Sequence, residues 1–222
     1  MIMAVLDFLS VNILELFGYF DDANKRIFWL YIVSALLLAA PVYWLSHKDR
    51  SLGKFLAFVF PKKIYTAKSA QHDYLLLICN KLLKAALFPL IIFTMAPIAM
   101  SISSGIEFVF GQRAFIELSS GAIMAIFTII LFLFDDFTRF YLHYLLHRIP
   151  VLWEFHKVHH SATVLTPFTI YRSHPLESYL YACRMAITQG AAVGIGYYLF
   201  GPTLKMIDIW GANVFVFLFN LF

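Results

Sequence analysis

Several runs in this 222-residue chain are apolar over nearly the length that crosses a bilayer, and that limits the folds open to it. In hydrocarbon every backbone N–H and C=O must find its partner inside the protein, which a helix achieves within one segment. Composition agrees: 61% of residues are hydrophobic and 14% charged, against about a quarter charged in a soluble domain. A soluble protein with very apolar helices is the alternative, and the length of the runs argues against it. Net charge is +4. The basic residues lie next to apolar runs, as the positive-inside rule describes, so no nucleic acid partner is expected. Cys79 and Cys183 are far apart, without a CxxC, and imply neither a disulfide framework nor a thiolate metal site.

The expected architecture is an all-α integral membrane domain over residues 1–222, with about four to five membrane-inserted helices and a histidine-rich helical cap. Spans are expected at about 27–46, 82–101, 121–141, 178–200 and 203–222. Residues 1–20, interrupted by Asp7 and Glu15, read as an interfacial or partly inserted helix. Pro89 and Pro97 are expected to kink the second span. FLAFVFP (55–61) reads as an interfacial segment. The helix entered near residue 121 is expected to run on until Pro150 ends it at or before Ile149.

Residues 47–84 hold eight Lys/Arg against Asp49 and Asp73, whereas residues 102–120 hold a single basic residue, Arg113. That asymmetry puts 47–84 in the cytoplasm. Segment 135–177 then lies on the same side, in a bacterial inner membrane or the endoplasmic reticulum.

That segment carries six of the eight histidines. His143 and His147 are four apart. His156 pairs with His159 at three and with His160 at four. On a helix those spacings put side chains on one face, so each cluster can aim its rings at one point. Imidazole is the commonest neutral nitrogen ligand of first-row metals. Five rings exceed the needs of one tetrahedral zinc, which favours more than one metal. A zinc protease would show HExxH, but Tyr144 follows His143. Haem ligands would face each other at mid-membrane. A set of neutral nitrogen ligands at the membrane face suits non-haem iron that activates dioxygen. A membrane zinc hydrolase and a metal transporter or binding protein are the rivals.

The stretch DFTRFYLHYLLHRIPVLWEFHKVHHSATVLTPFTIYRSHPLE (136–177) resembles the fatty acid hydroxylase/sterol desaturase superfamily of integral membrane non-haem diiron oxygenases. The pattern is an Asp seven residues before HxxxH, followed by LWxxHxxHHS. Asp136, His143, His147, Leu152, Trp153, His156, His159, His160 and Ser161 stand in register with it. Two departures stand out: Tyr144 occupies a position commonly Arg, and no histidine follows His174, although the family carries a further HxxHH box after its last span. The chain therefore reads as truncated at its C-terminus, or else as an incomplete, catalytically silent member.

The resemblance implies O2-dependent hydroxylation or desaturation of a fatty acyl, sterol or related lipid at two iron ions. Electrons would come from a separate cytochrome or ferredoxin-type partner, and a homo-oligomer is possible. The implied metal ligands are His143, His147, His156, His159, His160 and His174, with His174 alternatively a helix-start residue before Pro175. Asp136 reads either as a carboxylate that orients an imidazole N–H or as a charge at the membrane boundary, which Asp135 marks. Arg172 and Glu177 are expected to pair with each other or with lipid phosphate. Arg184 and Gln189, within or near a span, are functional candidates, although Arg184 has the length to snorkel to the headgroups.

Overall fold

A computed structural model describes residues 2–87, 94–112 and 114–221. Pro89 and Arg113 lie outside the described residues. Among the described residues, ten α-helices and one short hairpin run in the order α1 (Ile2–Leu14), α2 (Trp29–Ser46), α3 (Leu52–Val59), α4 (Lys62–Tyr65), α5 (Lys68–Leu87), α6 (Met95–Phe110), α7 (Ser120–Arg148), α8 (Pro150–His160), α9 (Pro175–Phe200), β1 (Asp208–Ile209), β2 (Ala212–Asn213) and α10 (Val214–Leu221). Met3–Phe20, Trp29–Ser46 and Ser120–Arg148 are long and apolar enough to cross a membrane, and Met95–Phe110 is a shorter apolar helix. Several polar groups are buried, and many large apolar side chains face outward. Asp73 is fully buried, whereas Phe108 is 92% and Leu45 89% exposed. That inversion suits lipid as solvent. The protein is an all-α membrane protein.

The chain forms two compact units, each discontinuous in sequence. The first comprises Met1–Ala86, Phe155–Pro175 and Phe217–Phe222. In it α2 packs on α3 through Ala40, Tyr43 and Phe55, and the Tyr43 hydroxyl donates to the Asp49 carbonyl at 2.8 Å. Helix α5 was not anticipated. Its buried residues include Ser69, Asp73 and Asn80, which spacings of four and seven place on one face. That face is polar, so a search for apolar periodicity passes over it. Segment 161–173 completes it. Arg172 Nε donates to Asp73 Oδ1, and Thr169 Oγ1 donates to Asp73 Oδ2 at 2.7 Å. Arg172 Nη2 donates to Ser69 Oγ at 2.9 Å, and Asn80 Nδ2 donates to the Ser173 carbonyl at 2.7 Å. The expected pairing of Arg172 with Glu177 or lipid phosphate is thus replaced: Asp73 neutralises the guanidinium, and Arg172 is 2% exposed.

The second unit comprises Leu87–Glu154 and Leu176–Val216. Here α9 meets α6 backbone to backbone. A Cβ on Gly194 would stand 2.6 Å from the Ala99 carbonyl oxygen, and one on Gly190 would stand 2.7 Å from Ile98 Cβ. Glycines four apart allow this approach, as they do between membrane helices generally.

The helix expected over 203–222 is not continuous. Gly201, at φ 84°, ends α9, and Pro202 follows. The chain then turns through Trp210 (φ 50°) and Gly211 (φ 79°) between β1 and β2, which pair Asp208 with Asn213. Two successive positive φ values suit a tight two-residue hairpin turn. Thr128 of α7 receives this segment: its Oγ1 accepts from Ile207 N at 2.7 Å, and its carbonyl accepts from Asn213 Nδ2 at 3.2 Å. Of the expected span over 82–101, residues 88–93 lie outside the described residues; α5 extends to Leu87 and α6 starts at Met95.

Gly194→Ala is expected to cost about 1–3 kcal/mol, because backbone must move to admit the methyl group. Gly105→Ala, where a Cβ meets nothing within 4 Å, is expected to be neutral or to gain about 0.5–1 kcal/mol. Thermal unfolding of both variants in mild detergent checks the contrast. Asp73→Ala leaves a buried guanidinium without its carboxylate and is expected to cost about 3–5 kcal/mol. Hydrogen exchange should then rise across 161–173 while α2 and α3 stay protected.

Candidate metal centre

The two histidine clusters sit on two helices joined by one residue. Helix α7 ends at Arg148, and Ile149 turns to extended backbone (φ −93°, ψ 116°), as a residue before proline must when its α conformation is blocked. Pro150 opens α8, where its missing N–H has no helical partner to lose. The expected break at Ile149 is therefore where the chain changes direction between the clusters.

On α7, in the second unit, His143 and His147 face each other with Nε2 atoms 3.2 Å apart. The Tyr181 hydroxyl of α9 lies 3.5 Å from His143 Nδ1, at the outer limit of a hydrogen bond. Trp153 lies against the His147 ring, with centroids 5.4 Å apart. On α8, in the first unit, His156 and His160 repeat the arrangement, with Nε2 atoms 3.1 Å apart. Within each pair the Nε2 atoms converge, as rings four apart on one helix can. His156 is buried at 1% exposure.

His159 stacks on His156 with ring centroids 5.6 Å apart, and its Nδ1 lies 3.2 Å from the Arg172 carbonyl. A carbonyl only accepts, so Nδ1 carries the proton and Nε2 keeps its lone pair. The Asp73–Arg172 pair thus fixes the backbone oxygen that sets this tautomer. Ser161, which follows the cluster, accepts from Arg172 Nη1 at 3.1 Å and donates to the Val158 carbonyl at 2.7 Å. The His174 ring lies 4.8 Å from that of Phe155.

The paired aspartates behave differently from each other. Asp136 is exposed. Asp135, expected only to mark the membrane boundary, binds two arginines: Arg184 Nη1 at 2.8 Å and Arg139 Nη2 at 2.7 Å. Arg184 Nη1 also reaches the Asp135 carbonyl at 3.0 Å and Thr138 Oγ1 at 2.9 Å. Arg184 therefore ties α9 to α7 two turns before His143, rather than snorkelling outward. Ser69, Asp73, Asn80 and Tyr181 escaped the sequence reading. One signal was available for Asp73: it is one of two acids within a strongly basic segment.

No curated protein and no solved structure matches the chain. Residues 128–220 match the fatty acid hydroxylase family. The match takes in both histidine clusters, the Arg184 contacts and the hairpin, and stops short of α5. The matched segment contains residues 136–177, the stretch whose histidine pattern resembles the fatty acid hydroxylase/sterol desaturase superfamily.

Proposed function

We propose that this protein oxidises C–H bonds of a membrane lipid with O2, using two iron ions held by its histidines. The observation that carries the reading is the pairing of converging Nε2 atoms on α7 and on α8, within a segment that matches the fatty acid hydroxylase family. His143 and His147 on α7, and His156 and His160 on α8, are the candidate ligands, each pair offering its own two converging nitrogens. His159 joins them through the Nε2 left free by its bond to the Arg172 carbonyl. All are imidazoles, a donor set that suits iron better than the carboxylate and water ligands hard cations prefer.

Bound iron would activate O2 for attack on an unactivated C–H bond, giving an alcohol, or an alkene if a second hydrogen is lost. The chain itself positions. Tyr181 and Trp153 restrict the α7 rings, and the Arg172 carbonyl fixes the His159 tautomer. Within each pair, ring placement is set by the geometry of the helix that carries it. The apolar exterior suits a substrate that arrives from the bilayer. Electrons are supplied by a separate redox protein of cytochrome or ferredoxin type, and the histidines face the cytoplasm where such donors work.

The test is metal analysis of the purified chain in mild detergent, with 18O2 incorporation into co-purified lipid. About two irons per chain are expected, as two-metal sites hold. His147→Ala and His160→Ala, both at exposed positions, should lose iron while His72→Ala retains it. Labelled oxygen in a lipid hydroxyl supports hydroxylation, and a new double bond supports desaturation. Zinc alone with no O2 consumption after reconstitution with ferrous iron overturns the reading.

A further inference from the structure

Between the end of α2 and the start of α5, residues 47–68 carry six Lys/Arg against a single acid, Asp49. Lys54 pairs with Asp49. Lys48, Arg50, Lys62, Lys63 and Lys68 are exposed and have no carboxylate partner among the described residues. The segment therefore holds an excess of cations that the protein itself leaves uncompensated.

It also holds apolar side chains that the protein leaves uncovered. On α3, Phe55 and Val59 are four apart and pack with Ala39, Ala40 and Tyr43 of α2. Leu52 and Leu56 occupy the adjoining stripe, about 60° round the helix, and are 71% and 43% exposed. Phe60, just past the end of α3, is exposed as well. Lys54 lies on the far side of the helix from Leu52. The position of α3 follows from its partner. Trp29–Ser46 is long and apolar enough to cross a membrane, and from Ala39 to Ser46 it rises about 10 Å. A helix packed along those last two turns lies at the depth where amphipathic helices bed an apolar face into the headgroup boundary.

The two features together select the occupant. An acidic soluble protein could meet the cations, but it would leave Leu52, Leu56 and Phe60 in water. A zwitterionic headgroup brings its own cation with each phosphate and leaves the excess charge unmet. A layer of net negative headgroups above acyl chains meets both needs. We propose that residues 47–68 form a docking face for anionic membrane lipid, with Leu52, Leu56 and Phe60 bedded at the top of the acyl chains and the unpaired cations among the phosphates. Each cation near such a surface is worth about fivefold in affinity. The face is independent of the histidines and of any metal.

The experiment uses the full chain without added metal, in nanodiscs of phosphatidylcholine alone or mixed with phosphatidylglycerol. Hydrogen exchange is followed across residues 52–66. Phosphatidylglycerol is expected to slow exchange there at least about fivefold, the worth of one cation. Salt at about 1 M, which screens exposed charges beyond about 3 Å, is expected to remove the difference. A chain carrying Lys62→Gln, Lys63→Gln and Lys68→Gln should lose most of the phosphatidylglycerol effect, whereas Lys205→Gln, outside the segment, should keep it. Leu52→Ser with Leu56→Ser should speed exchange in both lipids. Equal exchange in the two lipids, a difference that survives high salt, or a full effect in the triple variant overturns the proposal. Protection by soluble polyglutamate with none from phosphatidylglycerol also overturns it and assigns the cations to an acidic protein.

Discussion

The buried pair of Asp73 and Arg172 is the interaction on which the first unit depends. A charge of either sign is expensive to bury alone, and a matched pair with every remaining donor and acceptor engaged escapes most of that expense. The surrounding bonds supply the completion. Thr169 takes the second carboxylate oxygen, and Ser69 and Ser161 take the free guanidinium hydrogens. The arrangement is directional as well as cohesive. Hydrogen bonds to a planar guanidinium fix its plane, so the backbone of residue 172 inherits a set orientation, and its carbonyl meets His159 at one angle. A salt bridge between α5 and segment 161–173 thereby decides which nitrogen of the His159 imidazole carries a proton.

The second unit solves the same problem of helix placement with different chemistry. Small residues let α6 and α9 touch at their backbones, and dispersion rather than charge sets that distance. Arg184 then pins α9 to α7 near the polar end of the long apolar run. Close approach leaves little freedom to slide, while the arginine leaves little freedom to rotate. Between them they hold Tyr181 within reach of His143.

What the sequence disclosed follows from the range of the forces involved. Local rules were legible. The Ile149–Pro150 break, the one-face spacing of the histidines and the apolar run of α7 are all settled within a few residues of chain. Long-range polar pairing was not. Asp73 and Arg172 are 99 residues apart, and nothing in either neighbourhood names the other. The hairpin was missed because residues 203–222 are apolar enough to look like a span. Their turn chemistry rests on Trp210 and Gly211 at positive φ, and Trp gives no hint of that conformation. Asp135 was undervalued for the same reason as Asp73: its partner Arg184 lies on a different helix.

The separation of Asp73 from Arg172 also has a temporal meaning. The chain is made from its N-terminus, so α5 leaves the ribosome with its acid long before the matching arginine exists. At bacterial or eukaryotic rates of synthesis the interval is about 5–20 s. During it, the polar face of α5 cannot enter hydrocarbon and cannot close on its own. The apolar helices before it are free to insert, while α5 waits in water. The polar face of α5 is therefore closed only when segment 161–173 arrives, and the Arg172 carbonyl that holds His159 comes with it.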